Sequence, residues 1–201
     1  MPLKGVVFDV GNVIVRWNPR TLYSKIFPDE AEREWFLANV CTMRWHMRHD
    51  DGVPFEENRR PLLDRYPQYA EAIMAWETRW WEMFSGAIPE TEATIEAMHA
   101  RGVTQVGLTN MPSSVKSGVF AMSPVFGRFK HIVVSGDVGL AKPDPRIFEL
   151  AARHAGLAPG ELLFIDDSAL NCEAAEHVGY AAHHFTDPAA LAPALAAHGL
   201  L

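Results

Sequence analysis

Polar side chains follow four short apolar runs that are far apart in the sequence. Asp9 ends the first run and is followed by Gly11-Asn12. The later runs are followed by Thr109-Asn110, by a loop that contains Lys142, and by Asp166-Asp167. If the runs are neighbouring parallel strands, their carboxyl ends share one edge of a sheet. The sequence then places three carboxylates, a hydroxyl, an amide and a lysine together.

A cluster of this composition suits phosphoryl transfer. Three adjacent carboxylates repel one another unless a proton or cation lies between them, and Mg²⁺ takes oxygen ligands while keeping room for water and phosphate oxygens. Asp9 would then be the nucleophile that forms an aspartyl-phosphate, which water cleaves. Lys142 would neutralise phosphate charge, and the side chains of Thr109 and Asn110 would donate hydrogen bonds to phosphoryl oxygens.

The elements that must position these residues alternate along the chain. Apolar runs typical of buried strands span 4–10, 105–108, 131–134, 162–165 and, more weakly, 180–185. Helical patterns with capping residues and terminal glycines lie between and after the later runs, at 89–102, 144–156 and 168–179, with a last one from 187. The alternation predicts an α/β fold of three layers, a Rossmann-like parallel sheet covered by helices on both faces.

The segment 18–86 interrupts this alternation. It contains helical patterns with few strand signals, and all six tryptophans lie between Trp17 and Trp81. We therefore expect an inserted all-helical cap domain at 18–86, with the core domain formed by 1–17 and 87–201. Because the insert leaves the carboxyl end of the first strand, it would lie over the ligand site.

Composition limits the classes of function. The 201 residues carry a formal net charge of −7, which argues against nucleic acid as the main partner. Two cysteines exclude a disulfide scaffold and a cysteine-rich zinc site. The sequence shows neither a signal-peptide pattern nor a stretch of about 20 apolar residues. We expect a cytoplasmic protein, a monomer or homodimer, whose partner is a small phosphorylated metabolite rather than nucleic acid or membrane.

The four segments also resemble the four motifs of the haloacid dehalogenase superfamily. They occur in the right order over nearly the whole chain, as FDVGNV, LTN, GLAKP and FIDDS. The resemblance implies that Asp9 is the nucleophile and that Thr109, Asn110 and Lys142 bind phosphate. It also implies that Asp166 and Asp167 bind Mg²⁺, with Asp167 as the more direct ligand. The glycine in the first motif is most similar to sugar-1-phosphate phosphatases and the N-terminal phosphatase domain of soluble epoxide hydrolases.

One position departs from the family pattern. Phosphatases of the family usually carry a second aspartate two residues after the nucleophile, as the general acid and base, and this chain has Gly11 there. The Gly11 carbonyl can still bind the metal, but help with leaving-group protonation, worth about 100-fold to 10,000-fold, is lost. A cap residue such as His46 or His49 could replace it. Gly11, Asn12 and His46 are also candidate substrate-binding residues. The leaving group could instead need little protonation, or turnover could be slow.

Two other functions stay open from the sequence. A 2-haloacid dehalogenase would use the same aspartate to displace halide, but two further acids beside Asp9 would repel an incoming carboxylate. A protein that has lost turnover with Gly11 could bind a metal or metabolite without catalysis.

Overall fold

The computed structural model describes residues 2–201. The strands are β1 (Gly5–Phe8), β2 (Val15–Trp17), β3 (Phe84–Ala87), β4 (Thr104–Thr109), β5 (His131–Val134), β6 (Leu162–Asp166) and β7 (Ala181–His184). The helices are α1 (Pro19–Ile26), α2 (Glu30–Asn39), α3 (Met43–Asp50), α4 (Phe55–Arg65), α5 (Ala70–Thr78), α6 (Pro89–Ala100), α7 (Lys116–Phe120), α8 (Ser135–Val138), α9 (Pro145–Ala155), α10 (Ala169–Val178) and α11 (Pro188–Ala197).

Five strands form one parallel sheet in the order β5-β4-β1-β6-β7. These are the five apolar runs identified in the sequence, and the α/β prediction is confirmed. The central strand β1 is fully buried, with β4 on one side and β6 on the other. The three strands whose ends carry Asp9, Thr109 and Asp166 are therefore adjacent.

Helices cover both faces of this sheet. Successive residues of β1 point to opposite faces, so Val6 and Phe8 belong to one apolar core and Val7 belongs to the other. The first core includes residues of α6 and α11, and the second includes residues of α9 and α10. This gives the three layers that the sequence predicts.

The helix ends follow the capping signals of the sequence. The side chains of Asp144, Ser168 and Asp187 accept hydrogen bonds from the first turns of α9, α10 and α11. Gly156 and Gly179 end α9 and α10 with φ of 75° and 102°, a conformation that glycine adopts without steric cost. The cap at Ser168 fixes the start of α10 directly after Asp166 and Asp167.

The insert contains helices α1 to α5 packed around an aromatic core. Tyr23, Phe36 and Trp76 are its largest fully buried side chains, whereas Trp81 is exposed. The insert also has a strand, because β3 pairs antiparallel with β2. This two-stranded ribbon, which the sequence pattern does not indicate, connects the insert to the sheet.

The predicted domain boundaries fall within the ribbon, at the last residues of β2 and β3. No helix among residues 2–201 has the length and apolar character needed to cross a membrane.

Candidate active site

The site is built at the carboxyl edge of the parallel sheet. Asp9 directly follows β1, Thr109 is the last residue of β4, and Asp166 is the last residue of β6. Lys142 comes from the loop between α8 and α9, which follows β5. Four distant segments thus converge because their strands are neighbours in one parallel sheet.

Lys142 is the centre of the hydrogen-bond network. Its Nζ donates to Asp9 Oδ1 at 2.8 Å, to Asp166 Oδ2 at 2.6 Å and to the Leu108 carbonyl oxygen at 3.1 Å. The side chain is buried. Burial alone would lower the pKa of Lys142, but the two carboxylates outweigh it and raise this pKa, so the residue carries a fixed positive charge.

The carboxylates of Asp9, Asp166 and Asp167 offer oxygen atoms that all lie within 4.8 Å of one another. Burial, together with Asp166 and Asp167, raises the pKa of Asp9 to about 7, although Lys142 opposes the rise. Burial and Asp166 also raise the pKa of Asp167. Crowded, partly desolvated oxygen ligands of this kind are what a hard divalent cation requires, so the donor set fits Mg²⁺.

Asp166 and Asp167 differ in how many hydrogen bonds their carboxylate oxygens already accept. The Asp166 carboxylate accepts hydrogen bonds from Lys142, from the Ser168 N–H at 2.8 Å and from Asn171 Nδ2 at 3.0 and 3.2 Å. Asp167 Oδ2 accepts one from Asn12 Nδ2 at 3.2 Å, and Asp167 is exposed where Asp166 is fully buried. Asp167 therefore has the greater freedom to ligate a metal directly.

Two asparagines hold the loops that carry these residues. Asn12 adopts a backbone φ of 55°. Its Oδ1 accepts a hydrogen bond from the Trp17 N–H at 3.0 Å, and its Nδ2 donates to Asp167 Oδ2. Asn110 Nδ2 donates to the Lys142 carbonyl at 2.9 Å, and Asn110 Oδ1 accepts the Lys142 N–H at 2.8 Å. The sequence predicts phosphate contacts for Asn110, and one hydrogen of its amide remains for such a contact.

A cavity of about 250 Å³ opens above the carboxylates, between the sheet edge and the insert. Its floor includes Asp9, Thr109 and Lys142, and its walls include Trp17, Trp80, Phe84 and Met43. Lys142 is the one cationic side chain among the described residues that line it. The cavity is therefore acidic and cationic at its base and mostly apolar above.

Helix α3 contributes two ionisable residues, His46 and Asp50, to the cavity wall. Both are buried, and His46 Nε2 lies 3.6 Å from Asp50 Oδ1. The His46 ring stacks on Trp17 with centroids 5.1 Å apart. Burial, with a smaller effect of His49, lowers the pKa of His46 to about 3. His46 therefore lies at the cavity in its neutral form.

His49 lies outside the cavity lining and packs inside the insert. Its Nδ1 is 3.2 Å from the Val53 carbonyl oxygen, and its Nε2 is 3.1 Å from Asn58 Nδ2. Because both ring nitrogens have partners within the insert, His49 has no free group to offer a ligand.

Several residues of the site could not be assigned, or not firmly, from the sequence. Asn171, on α10, donates to the Asp166 carboxylate; the sequence alone does not distinguish this contact from an ordinary place on a helix face. Asp50 and Ser135 were missed. Ser135 Oγ donates to the Asp50 carbonyl at 2.6 Å and accepts the Met111 N–H at 2.9 Å. An acid in the last turn of an insert helix is an unusual local choice, and this was the one available signal for Asp50.

A family model described as a haloacid dehalogenase-like hydrolase matches residues 3–179. The chain therefore belongs to the haloacid dehalogenase-like hydrolases and is an enzyme of that class. Among curated relatives, the phosphoglycolate phosphatases of Escherichia coli (strain K12) and Salmonella typhimurium (strain LT2) are 29% identical to it over 208 residues, covering 88% of this chain and 79% of each relative.

Solved structures of this family share the fold. A family enzyme from Bacteroides thetaiotaomicron, crystallised with magnesium and inorganic phosphate, has a TM-score of 0.66 at 20% identity, covering 92% of this chain and 94% of that one. A structure described as a dehalogenase has a TM-score of 0.73 at 18% identity, covering 96% and 97%.

Proposed function

We propose that the protein is a Mg²⁺-dependent phosphatase that hydrolyses a small phosphate monoester through an aspartyl-phosphate on Asp9. One observation carries the proposal. The Asp9 carboxylate, bound to Lys142, lies with Asp167 at the base of a cavity that can admit a small ester, and the buried carboxylate of Asp166 lies behind them. Buried carboxylates around a fixed ammonium need a cation, and an anionic ester needs the same cation to approach them.

Each residue of the site would have a separate role in the reaction. The metal would be held by Asp9, Asp167 and the Gly11 carbonyl, with Asp166 behind them. When bound, Mg²⁺ would keep Asp9 ionised and offset the negative charge of the phosphoryl group. One Asp9 oxygen attacks phosphorus, and the bond to the leaving oxygen breaks. The Thr109 hydroxyl and the free amide hydrogen of Asn110 would donate hydrogen bonds to phosphoryl oxygens. Water then cleaves the aspartyl-phosphate and regenerates Asp9.

Relatives support this assignment. The curated relatives are named phosphoglycolate phosphatases, and the Bacteroides thetaiotaomicron enzyme is described in complex with magnesium and inorganic phosphate. The residues of this chain that would perform those functions are the ones that its own strand ends bring together.

The lining of the cavity favours a substrate with a compact, uncharged leaving group. Trp17, Trp80 and Phe84 form its upper walls, and Lys142 at the base is already bound to two carboxylates. A ring with an apolar face, such as a sugar or a phenol, suits these walls. A second anionic group on the substrate would be desolvated there without a cationic partner, which is costly. We therefore place phosphorylated carboxylic acids below phosphate monoesters with uncharged leaving groups as substrates.

Dehalogenation is the second enzymatic function open to this family. A 2-haloacid carries a carboxylate, and it would meet Asp9 and Asp167 at the base of the cavity, with the buried Asp166 behind them. Their mutual repulsion disfavours a metal-free reaction with such a substrate.

The test is hydrolysis of a panel of phosphate monoesters with uncharged leaving groups by the wild type, with Mg²⁺ and with EDTA, and by Asp9→Asn. Asp64→Asn, which removes an exposed acid of α4, is the matched control. We expect turnover in wild type and Asp64→Asn with Mg²⁺, and loss with EDTA or in Asp9→Asn. Turnover that survives either change would contradict the proposal, whereas Mg²⁺ binding without turnover of any ester would indicate a binding protein.

A further inference from the structure

The first motif lacks an acid that could protonate a leaving group. Gly11 occupies the position two residues after Asp9, and a Cβ placed there would meet no atom within 4 Å. The space next to the nucleophile is therefore open. A proton donor, if the enzyme has one, must come from another element that lines the same cavity.

Asp50 is an acid whose position suits it to be this proton donor. Its side chain lines the cavity together with Asp9, and it is buried. Asp50 Oδ1 has no hydrogen-bond partner among the described residues. An unpartnered buried oxygen costs free energy. This oxygen lies 3.6 Å from His46 Nε2, and the Asp50 residue itself borders the cavity.

The main chain of Asp50 is anchored to the sheet domain. Ser135, the first residue after β5, is fully buried and donates its hydroxyl hydrogen to the Asp50 carbonyl at 2.6 Å. The same hydroxyl oxygen accepts the N–H of Met111, which follows the Thr109-Asn110 segment. One hydroxyl thus ties the end of α3 to the loops that form the floor of the site.

The protonation state suits a donor. Burial raises the pKa of Asp50 to about 8; Asp51 and Asp9 add to the rise, and Lys142 opposes it. His46, whose Nε2 lies 3.6 Å from Asp50 Oδ1, is neutral. A neutral imidazole has no readily released proton, so His46 cannot donate in place of Asp50.

Resting on the proposed phosphatase function, we propose that Asp50 is the catalytic acid and base, carried by the insert in place of the missing side chain at Gly11. As the Asp9–phosphorus bond forms and the bond from phosphorus to the leaving oxygen breaks, the Asp50 carboxyl proton passes to that oxygen. In the second step water attacks phosphorus, the Asp9–phosphorus bond breaks, and the water proton returns to the Asp50 carboxylate.

The experiment compares two esters within each protein preparation. Phenyl phosphate releases a strongly basic phenolate that needs protonation, whereas para-nitrophenyl phosphate releases a weakly basic one. We measure the ratio of their kcat/KM values in wild type, Asp50→Asn, Asp64→Asn and the double variant Asp50→Asn/Gly11→Asp. Because both esters meet the same folded fraction, any loss of folding in Asp50→Asn cancels in this ratio.

We expect Asp50→Asn to lower kcat/KM for phenyl phosphate by about 100-fold to 10,000-fold. The factor by which it lowers kcat/KM for the nitrophenyl ester should be less than about a tenth as large. Asp64→Asn should keep the wild-type ratio, and Gly11→Asp should restore part of the phenyl phosphate rate in the Asp50→Asn background. Equal losses on the two esters in Asp50→Asn would overturn the role of Asp50 while leaving the phosphatase proposal intact. A wild type that cleaves no phosphate ester would overturn both.

Discussion

Replacing Lys142 with methionine should strongly destabilise the metal-free protein. Lys142 is buried, and its ammonium group donates to Asp9 and Asp166 at 2.8 and 2.6 Å. Methionine retains most of the side-chain volume and removes the charge. The variant therefore leaves Asp9, Asp166 and the neighbouring Asp167 without their cationic partner.

The expected loss is about 3–5 kcal/mol of unfolding free energy at neutral pH, the range for removing one partner of a buried ion pair. The loss should depend on pH. Without Lys142 the pKa of Asp9 rises further above about 7, so the folded protein retains a proton that the unfolded chain, with a pKa near 3.8, has released. A raised carboxyl pKa favours folding at low pH, and this contribution is lost as pH rises through the folded-state pKa. The variant should be destabilised more at about pH 8 than at about pH 5.5.

Urea unfolding followed by circular dichroism, in EDTA, measures these free energies. The double variant Lys142→Met/Asp9→Asn should be more stable than Lys142→Met alone, because it removes one of the uncompensated charges. Lys116→Met is the control. It breaks an exposed ion pair with Asp137 and should change stability by less than about 1 kcal/mol. A Lys142→Met protein within about 1 kcal/mol of wild type at both pH values would refute the reasoning.

Three further predictions follow from the same site. Phosphoglycolate should be hydrolysed with a kcat/KM at least about tenfold below that of phenyl phosphate, because its carboxylate would be desolvated without a cationic partner. Equal kcat/KM values in a steady-state assay would contradict the inference that the apolar cavity walls disfavour a second anionic group. Mg²⁺ at about 100 times its Kd should raise the unfolding free energy of the wild type by about 2.7 kcal/mol, and Asp167→Asn should abolish most of this rise in the same urea assay. Burial lowers the pKa of His46, so the folded protein loses stability as pH falls below the unfolded pKa of 6.5. Between about pH 7 and pH 5, His46→Asn should therefore lose about 2 kcal/mol less unfolding free energy than wild type. His99→Gln, at an exposed position of α6, is the matched control.

The sheet and the four strand ends could be predicted from the sequence because their signals are local. Each buried strand is a short apolar run, and α9 and α10 begin at a capping side chain and end at a glycine. The meeting of Asp9 with Asp166 then follows from strand adjacency, since parallel strands of one sheet share a carboxyl edge. The hydrogen bonds of Lys142 complete this arrangement.

The ribbon and the contribution of α3 could not be predicted in the same way. Strand β2 has three residues, too few to show a period, and its partner β3 lies about 70 positions later in the chain. Its pairing depends on how the whole insert folds. Asp50 likewise gains its significance from docking of α3 against Ser135, a contact between residues 85 positions apart. Local pattern carries no information about such contacts.

The charges at the cavity explain why an acid on α3 is compatible with the rest of the site. Asp9, Asp166 and Asp167 together with Lys142 leave two negative charges when all four are ionised, which is the charge that one Mg²⁺ offsets. An ionised fourth carboxylate would disturb this balance and repel a phosphate ester. Burial keeps the carboxyl group of Asp50 protonated before the reaction, so it adds a proton donor without adding charge. An acid in the open space at Gly11, directly beside Asp9, would have to coexist with the metal ligands themselves. Carrying the acid on the insert separates proton transfer from metal binding, and it makes protonation of the leaving group depend on the contact between Asp50 and Ser135.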